Sequence, residues 1–115
     1  MQNAKAKSRY VRIAPRKARL AAGLVRGMSV ENANVQLLNS PLKGARLLKK
    51  TLDSAVANAE TQLDVRKSDL FIQEIRVDAG PILKRSKSKS RGGRMPVMKR
   101  TSHFTIVLTT EQSRS

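Results

Sequence analysis

"LFIQEIRVDAGPILKRSKSKSRGGRMPVMKRTSHFTIVL", residues 70–108, holds two strand-like segments separated by a connection unlike an ordinary loop. At one end Phe71, Ile75, Val77 and Ala79 alternate with Glu74, Arg76 and Asp78, the period of two of a strand with one wet face. At the other, Phe104, Ile106 and Leu108 alternate with Thr105 and Val107. The two read as an antiparallel pair. Hairpin loops usually run ~2 to 5 residues, and here the link is about twenty. It carries eight Lys or Arg between positions 84 and 100 and no acid. From Lys84 to Lys89 charge alternates with serine, and "RGG" from Arg91 supplies turn residues midway, so two extended arms can carry the pair outward to a tip. Arms of about eight to ten residues would reach on the order of 25 to 30 Å. With almost nothing apolar before Met95, Val97 and Met98, such an arm is expected to be ordered only against something anionic.

Outward from that pair, "AKAKSRYVRI" (residues 4–13) alternates again and predicts a third strand. "APRKARLAAGLVRG" follows, with Pro15 where a first helical residue tolerates it and Gly27 where a helix ends. At 100° per residue Arg16, Arg19 and Arg26 share one arc, while Ala18, Ala21, Leu24 and Val25 lie roughly opposite. A short second helix opens on Ser29 as N-cap, with Glu31 in its first turn, and closes before Pro41. Ala45, Leu48, Leu52, Ala55, Val56 and Ala59 give the longest helix its buried face, with Lys43, Arg46, Lys49 and Lys50 mostly off it. The polar, aperiodic residues 61–69 read as a loop.

Length and composition narrow the function classes. A chain of 115 residues, 39% hydrophobic, has room for one domain with a modest core, and with one Tyr, two Phe and no Trp that core is aliphatic. Zero Cys removes disulfides, thiolate nucleophiles and Cys-ligated zinc, and fits a reducing compartment. No apolar run reaches the ~20 residues needed to span a bilayer, and a secretory leader is absent from the amino end, so the cytosol or an organelle interior is the expected location. The net charge of +16 is polarised: residues 1–30 carry +8, residues 31–83 balance to zero, and residues 84–115 carry +8. A neutral middle between two basic ends predicts a core with two phosphate-facing surfaces.

Catalysis finds no footing in the residues. His103 is the one histidine, it sits in a strand pattern, and its nearest acid in sequence is Glu111. It reads as a structural or RNA-contacting residue. The acids are scattered singly, without general acid/base or metal-ligand spacing, so no cofactor and no metal is expected. Gly92 and Gly93 fit a turn better than a nucleotide cradle. A solvated helix face is the bland reading of Arg16, Arg19 and Arg26, but such faces normally mix signs, and no acid precedes Glu31. Nucleic acid is the leading partner, and the scarcity of aromatic rings argues for contacts to phosphate and sugar over stacked single strands. An architectural DNA-binding arm with Pro96 as a wedge is a rival. A membrane-surface peptide would need a basic amphipathic helix, and the arm is not helix-patterned.

Four stretches in register, "APRKARLAAGLVRG", "SAVANAE", "VDAGPILKR" and "MKRTSHFTIVL", resemble the bacterial type of large-subunit ribosomal protein number 22 over nearly the whole chain. The resemblance implies an α+β fold, three helices packed on a three-stranded antiparallel sheet with a long protruding β-hairpin. It implies a single domain whose globular body spans residues 1–80 plus 101–111, with an extended basic hairpin at 81–100. It also implies a place in the ribosome, bacterial or organellar, bound to large-subunit ribosomal RNA and neighbouring ribosomal proteins, with no membrane insertion. The hairpin would line the polypeptide exit tunnel and meet the nascent polypeptide. The RNA-binding set is then Lys5, Lys7, Arg9, Arg12, Arg16, Lys17, Arg19, Arg26, Lys84, Arg85, Lys99, Arg100 and His103. Lys87, Lys89, Arg91, Gly92, Gly93 and Arg94 would form the tunnel tip. The stretch "GGRMPV" departs from the family pattern in its proline.

Overall fold

The computed structural model describes residues 3–88 and 94–110. In chain order the elements are β1 (Asn3–Val11), α1 (Pro15–Gly23), α2 (Val30–Asn39), α3 (Lys43–Leu63), a 3-10 turn (Lys67–Asp69), β2 (Phe71–Ala79), β3 (Leu83–Ser88), β4 (Arg94–Lys99) and β5 (Ser102–Thr109). Strands β1, β5 and β2 form an antiparallel sheet in that order, and β3 with β4 forms a separate two-stranded ribbon. This is the expected α+β arrangement, with the last strand in the middle of the sheet.

The helices cover one face. Ala4 and Ala6 of β1, Phe104, Ile106 and Leu108 of β5, and Ile72, Ile75 and Val77 of β2 are buried against Leu48, Leu52, Ala55 and Ala59 of α3 and Ala18, Ala21 and Val25 in and after α1. Small residues let the helices come close. A Cβ on Gly44 would stand 3.2 Å from Ile13 Cδ1 and 3.3 Å from Ala18 Cα, so the start of α3 lies almost on the backbone of α1. Serine and threonine link the layers, with Ser8 Oγ 2.7 Å from Thr51 Oγ1.

Several local expectations change. Simple alternation puts Phe71 and Ala79 on the core face of β2, but a register shift between Ile72 and Glu74 moves Ile72 inward and leaves Phe71 half-buried, while Ala79, in phase with Ile75 and Val77, is exposed at the end of the strand. The extra residue of a bulge reverses the alternation on one side of it. The third strand stops at Val11, because β1 bulges between Ser8 and Val11 and Tyr10 takes φ 57°. Helix α1 ends at Gly23 and tightens into i to i+3 turns before Gly27, whose φ is 78°. Leu24, expected among the packed residues, is 42% exposed. Helix α3 runs three residues past the expected loop start, to Leu63, and is stopped by Asp64 in the left-handed region at φ 52°.

Helix α2 is capped as expected, Ser29 Oγ accepting from Asn32 N–H at 3.4 Å. On its inner side, however, both amide atoms of Asn34 are buried without a hydrogen-bond partner. An unpaired buried amide costs about 1 to 3 kcal/mol. Asn34→Leu is therefore expected to raise stability by about 1 kcal/mol and the melting temperature by several degrees, checked by thermal unfolding followed by circular dichroism. A lower melting temperature would show that the amide is satisfied in solution.

The ribbon pairs Leu83 with Lys99 through to Ser88 with Arg94. Six residues per strand at ~3.3 Å each span about 20 Å, and residues 80–82 and 100–101 make a neck at their base. There Gly80 N–H donates to Thr101 O at 3.0 Å, and Thr101 Oγ1 donates to Pro81 O at 2.7 Å. Pro96 pairs with Ser86; each strand of a two-stranded ribbon has an outer edge where a residue lacking N–H is tolerated. The radius of gyration is 17.0 Å with a longest dimension of 60 Å, against ~13 Å for a compact chain of this length. The tip residues Lys89, Arg91, Gly92 and Gly93 lie outside the described residues.

Candidate nucleic-acid interface

The first basic segment and the base of the arm meet in space. Arg12 and Lys17, on either side of the α1 start, Lys43 at the start of α3, and Lys99 and Arg100 where the arm returns line one groove of about 690 Å³. All five side chains are exposed, and none of the residues lining the groove is an acid. Its position follows from the fold. Bulging at Tyr10 ends β1 early, Ile13 N–H donates to Val11 O at 2.8 Å, and Ser102 Oγ holds Ile13 O at 2.7 Å, so the chain turns into α1 right beside the neck of the arm. Lys43 Nζ reaches across to Arg12 O at 3.3 Å. Helical periodicity places Lys43 only on the wet face of a helix. The signal that could have found it is its place at a helix start two residues after Pro41, at a chain reversal where neighbouring elements converge.

The expected arginine stripe on α1 is put to a second use. Arg19 Nε and Nη2 both donate to Val77 O, at 3.2 and 3.1 Å, and Arg26 Nη2 donates to Ile75 O at 3.2 Å. These carbonyls belong to β2, an edge strand of the sheet. On the opposite edge Asn58 Nδ2 donates to Lys5 O at 3.0 Å. Side chains thus occupy backbone groups that an open edge would offer to another strand. A guanidinium has five N–H donors, so Arg19 and Arg26 can hold the edge and still turn donors outward. Arg16 is exposed, one turn before Arg19. Arg19→Ala is expected to cost about 1 kcal/mol in a denaturant titration, and Arg19→Lys nearly as much, because an ammonium cannot reproduce the fork to one carbonyl. An unchanged midpoint for Arg19→Ala would remove the edge-holding role.

The open face of the sheet is uneven in charge. Lys5, Lys7 and Arg9 of β1 are exposed, whereas on β2 Arg76 is held by Glu74 at 3.3 Å and Asp78 at 3.0 Å. Such exposed pairs contribute little to stability, but they neutralise the β2 side and leave the β1 side cationic. His103 is occupied within the fold. Its Nδ1 accepts the Tyr10 N–H at 3.1 Å, and the two rings meet edge to face with centroids 5.0 Å apart. That geometry supports the structural reading of this residue, which braces the β1 bulge. Along the ribbon, Lys84 pairs with Met98 and Arg85 with Val97. Among the described residues no group of His, Asp and Glu is placed to hold a metal ion, and no helix is long and apolar enough to cross a membrane.

A small, strongly basic α+β body with a two-stranded extension is the build of a ribosomal protein. Residues 6–109 match the family described as ribosomal protein L22p/L17e, and the chain belongs to that family. A protein of Protochlamydia amoebophila (strain UWE25), described as large ribosomal subunit protein uL22, is 69% identical over 108 residues, covering 94% of this chain and 97% of its own length. Proteins with the same description from Chlamydia pneumoniae and Chlamydia felis (strain Fe/C-56) are 60% and 61% identical over 104 residues, covering 90% of this chain and 94% of their own. These bacterial relatives are described as ribosomal proteins and not as enzymes.

Proposed function

We propose that the chain is a structural constituent of the large ribosomal subunit that binds large-subunit ribosomal RNA, supports its assembly and lines the polypeptide exit tunnel with its arm, without catalysis. Its partners are then the RNA, neighbouring ribosomal proteins and the nascent polypeptide, and its place is the ribosome in the cytoplasm. The observation that carries this reading is the convergence of Arg12, Lys17, Lys43, Lys99 and Arg100 in one acid-free groove at the root of the arm. Like charges brought together in a free protein repel one another, so an arrangement of this kind is useful when phosphates fill the space between them. Contacts of this type read shape over base sequence, in keeping with an aromatic content of 3%.

Competition between deproteinised large-subunit ribosomal RNA and duplex DNA tests the proposal. At ~0.15 M salt the purified chain should choose the RNA, and the log of its affinity should fall linearly with the log of salt, each contacting cation adding a little under one unit of slope. Preference for duplex DNA would favour the architectural DNA-binding reading instead. The tunnel role has its own readout: deletion of residues 87–94 should leave subunit assembly intact while changing the width of the tunnel and its response to small molecules lodged there. An unchanged tunnel would remove that portion of the proposal.

A further inference from the structure

The groove at the root of the arm is more than a patch of charge. Part of its lining is apolar and forms a floor of Ile13, which is buried, with Leu20 and Leu42, which are 64% and 39% exposed. Phosphates need cations and have no use for leucine. A regular RNA helix is convex and presents its phosphates outward, so it can meet the rim of a concave site without touching the floor. A base that has left its helix is flat and largely apolar on both faces, and it can reach the floor. No aromatic residue lines this groove, so aliphatic side chains are the surface there against which a base can shed water.

Resting on the RNA-binding reading above, we propose that this groove seats one unpaired nucleotide of the RNA, its base against Leu20 and Leu42 and its flanking phosphates against the surrounding cations. A volume of about 690 Å³ lies within the ~300 to 1,000 Å³ usual for small-ligand sites. Charge complementarity names the occupant's class, since all the charged residues lining the groove are cations. Two helix starts reinforce it. Ala14 and Leu42, the N-caps of α1 and α3, make no side-chain cap bond, and neither helix has an acid in its first turn. Both helix dipoles therefore add positive potential to the groove without a protein counter-charge in those turns.

The double variant Leu20→Ala with Leu42→Ala tests the seat on the full chain. Alanine is a good helix residue at position 20 and caps no better than leucine at position 42, so folding should be retained, which thermal unfolding verifies. Affinity for deproteinised large-subunit RNA should fall about tenfold with the salt slope unchanged, while weak binding to a blunt RNA duplex stays as it was. Wild-type affinity for the ribosomal RNA would overturn the nucleotide seat and leave the basic surface standing. If instead Lys43→Ala with Lys99→Ala left the salt slope untouched, the groove would not contact RNA and both readings would fall. A photo-crosslinker at position 20 in assembled subunits should attach to an unpaired nucleotide. Attachment to a neighbouring protein, or to a paired nucleotide, would assign the leucines to another occupant and overturn the proposal.

Discussion

Alanine at Arg12, Lys43, Lys99 and Arg100 together should lower affinity for large-subunit ribosomal RNA by about a thousandfold at ~0.15 M salt, because each cation that neutralises a phosphate there is worth about fivefold through counterion release. The salt slope should shrink by roughly three to four units. Folding should be little affected, since all four side chains are exposed and the bond from Lys43 Nζ to Arg12 O lies at the surface. Filter binding at several salt concentrations, with circular dichroism as a control, checks both expectations. A fall in affinity with the slope preserved would mean that the cations act by holding the protein's shape and not by meeting phosphates.

The second large effect concerns the neck. A Cβ added at Gly80 would overlap Thr101 Oγ1 and stand 3.2 Å from His103 Cε1 and 3.3 Å from Nε2. Thr101 is 2% exposed and held by its bond to Pro81 O, so it has little room to move away. Gly80→Ala is therefore expected to destabilise the body by about 2 to 3 kcal/mol, at the upper end of overpacking costs. It should also disturb the β1 bulge, because His103 is the residue that braces Tyr10. Thr101→Ala in the same chain removes the overlapping oxygen and should recover some of the loss, so that the two substitutions are non-additive. Strict additivity in denaturant unfolding would show that Gly80 is not confined by Thr101. The neck adjoins the groove in sequence, since Lys99 and Arg100 of the groove directly precede Thr101.

How much of this could be read in the sequence differs from element to element. Helix α3 was legible because Ala45, Leu48, Leu52, Ala55, Val56 and Ala59 repeat at helical spacing, and each is buried. Strand β5 was legible because Phe104, Ile106 and Leu108 alternate and are all buried, although in this central strand Thr105 and Thr109 on the other face are buried as well. Strand β2 has the same kind of composition, yet alternation alone turns its first residues the wrong way. A bulge leaves no mark in the alternation until the pairing partner is known. The long basic connection announced an arm, but not the neck at its base, because the close approach of Gly80 to Thr101 joins positions twenty-one apart in sequence.

The candidate site was legible residue by residue and not as a place. Arg12, Lys17, Lys99 and Arg100 each stand out as basic residues, but nothing in the sequence says that they share one groove, while Lys5, Lys7, Arg9 and Arg16 lie outside it. Charge counts say how many cations a segment holds; only the turn from β1 into α1 beside the neck says which of them face one another. Arg19 and Arg26 show the converse. Their arc on α1 follows from the helical repeat, whereas their use on Val77 and Ile75 depends on which strand forms the sheet edge. Leu20 and Leu42 carried no sequence signal of their own, since scattered exposed apolar residues are ordinary on a protein surface.

Incorporation into large subunits offers the most direct test of the division of labour between the root of the arm and its tip. Two variants are compared with the intact chain in reconstitution from ribosomal RNA and the other subunit proteins: one with alanine at Arg12, Lys43, Lys99 and Arg100, the other lacking residues 87–94. The tip-deleted chain should enter subunits as fully as the intact one, and the alanine variant should be largely left out. Full incorporation of the alanine variant, or exclusion of the tip-deleted chain, would contradict the assignment of RNA docking to the groove at the root of the arm.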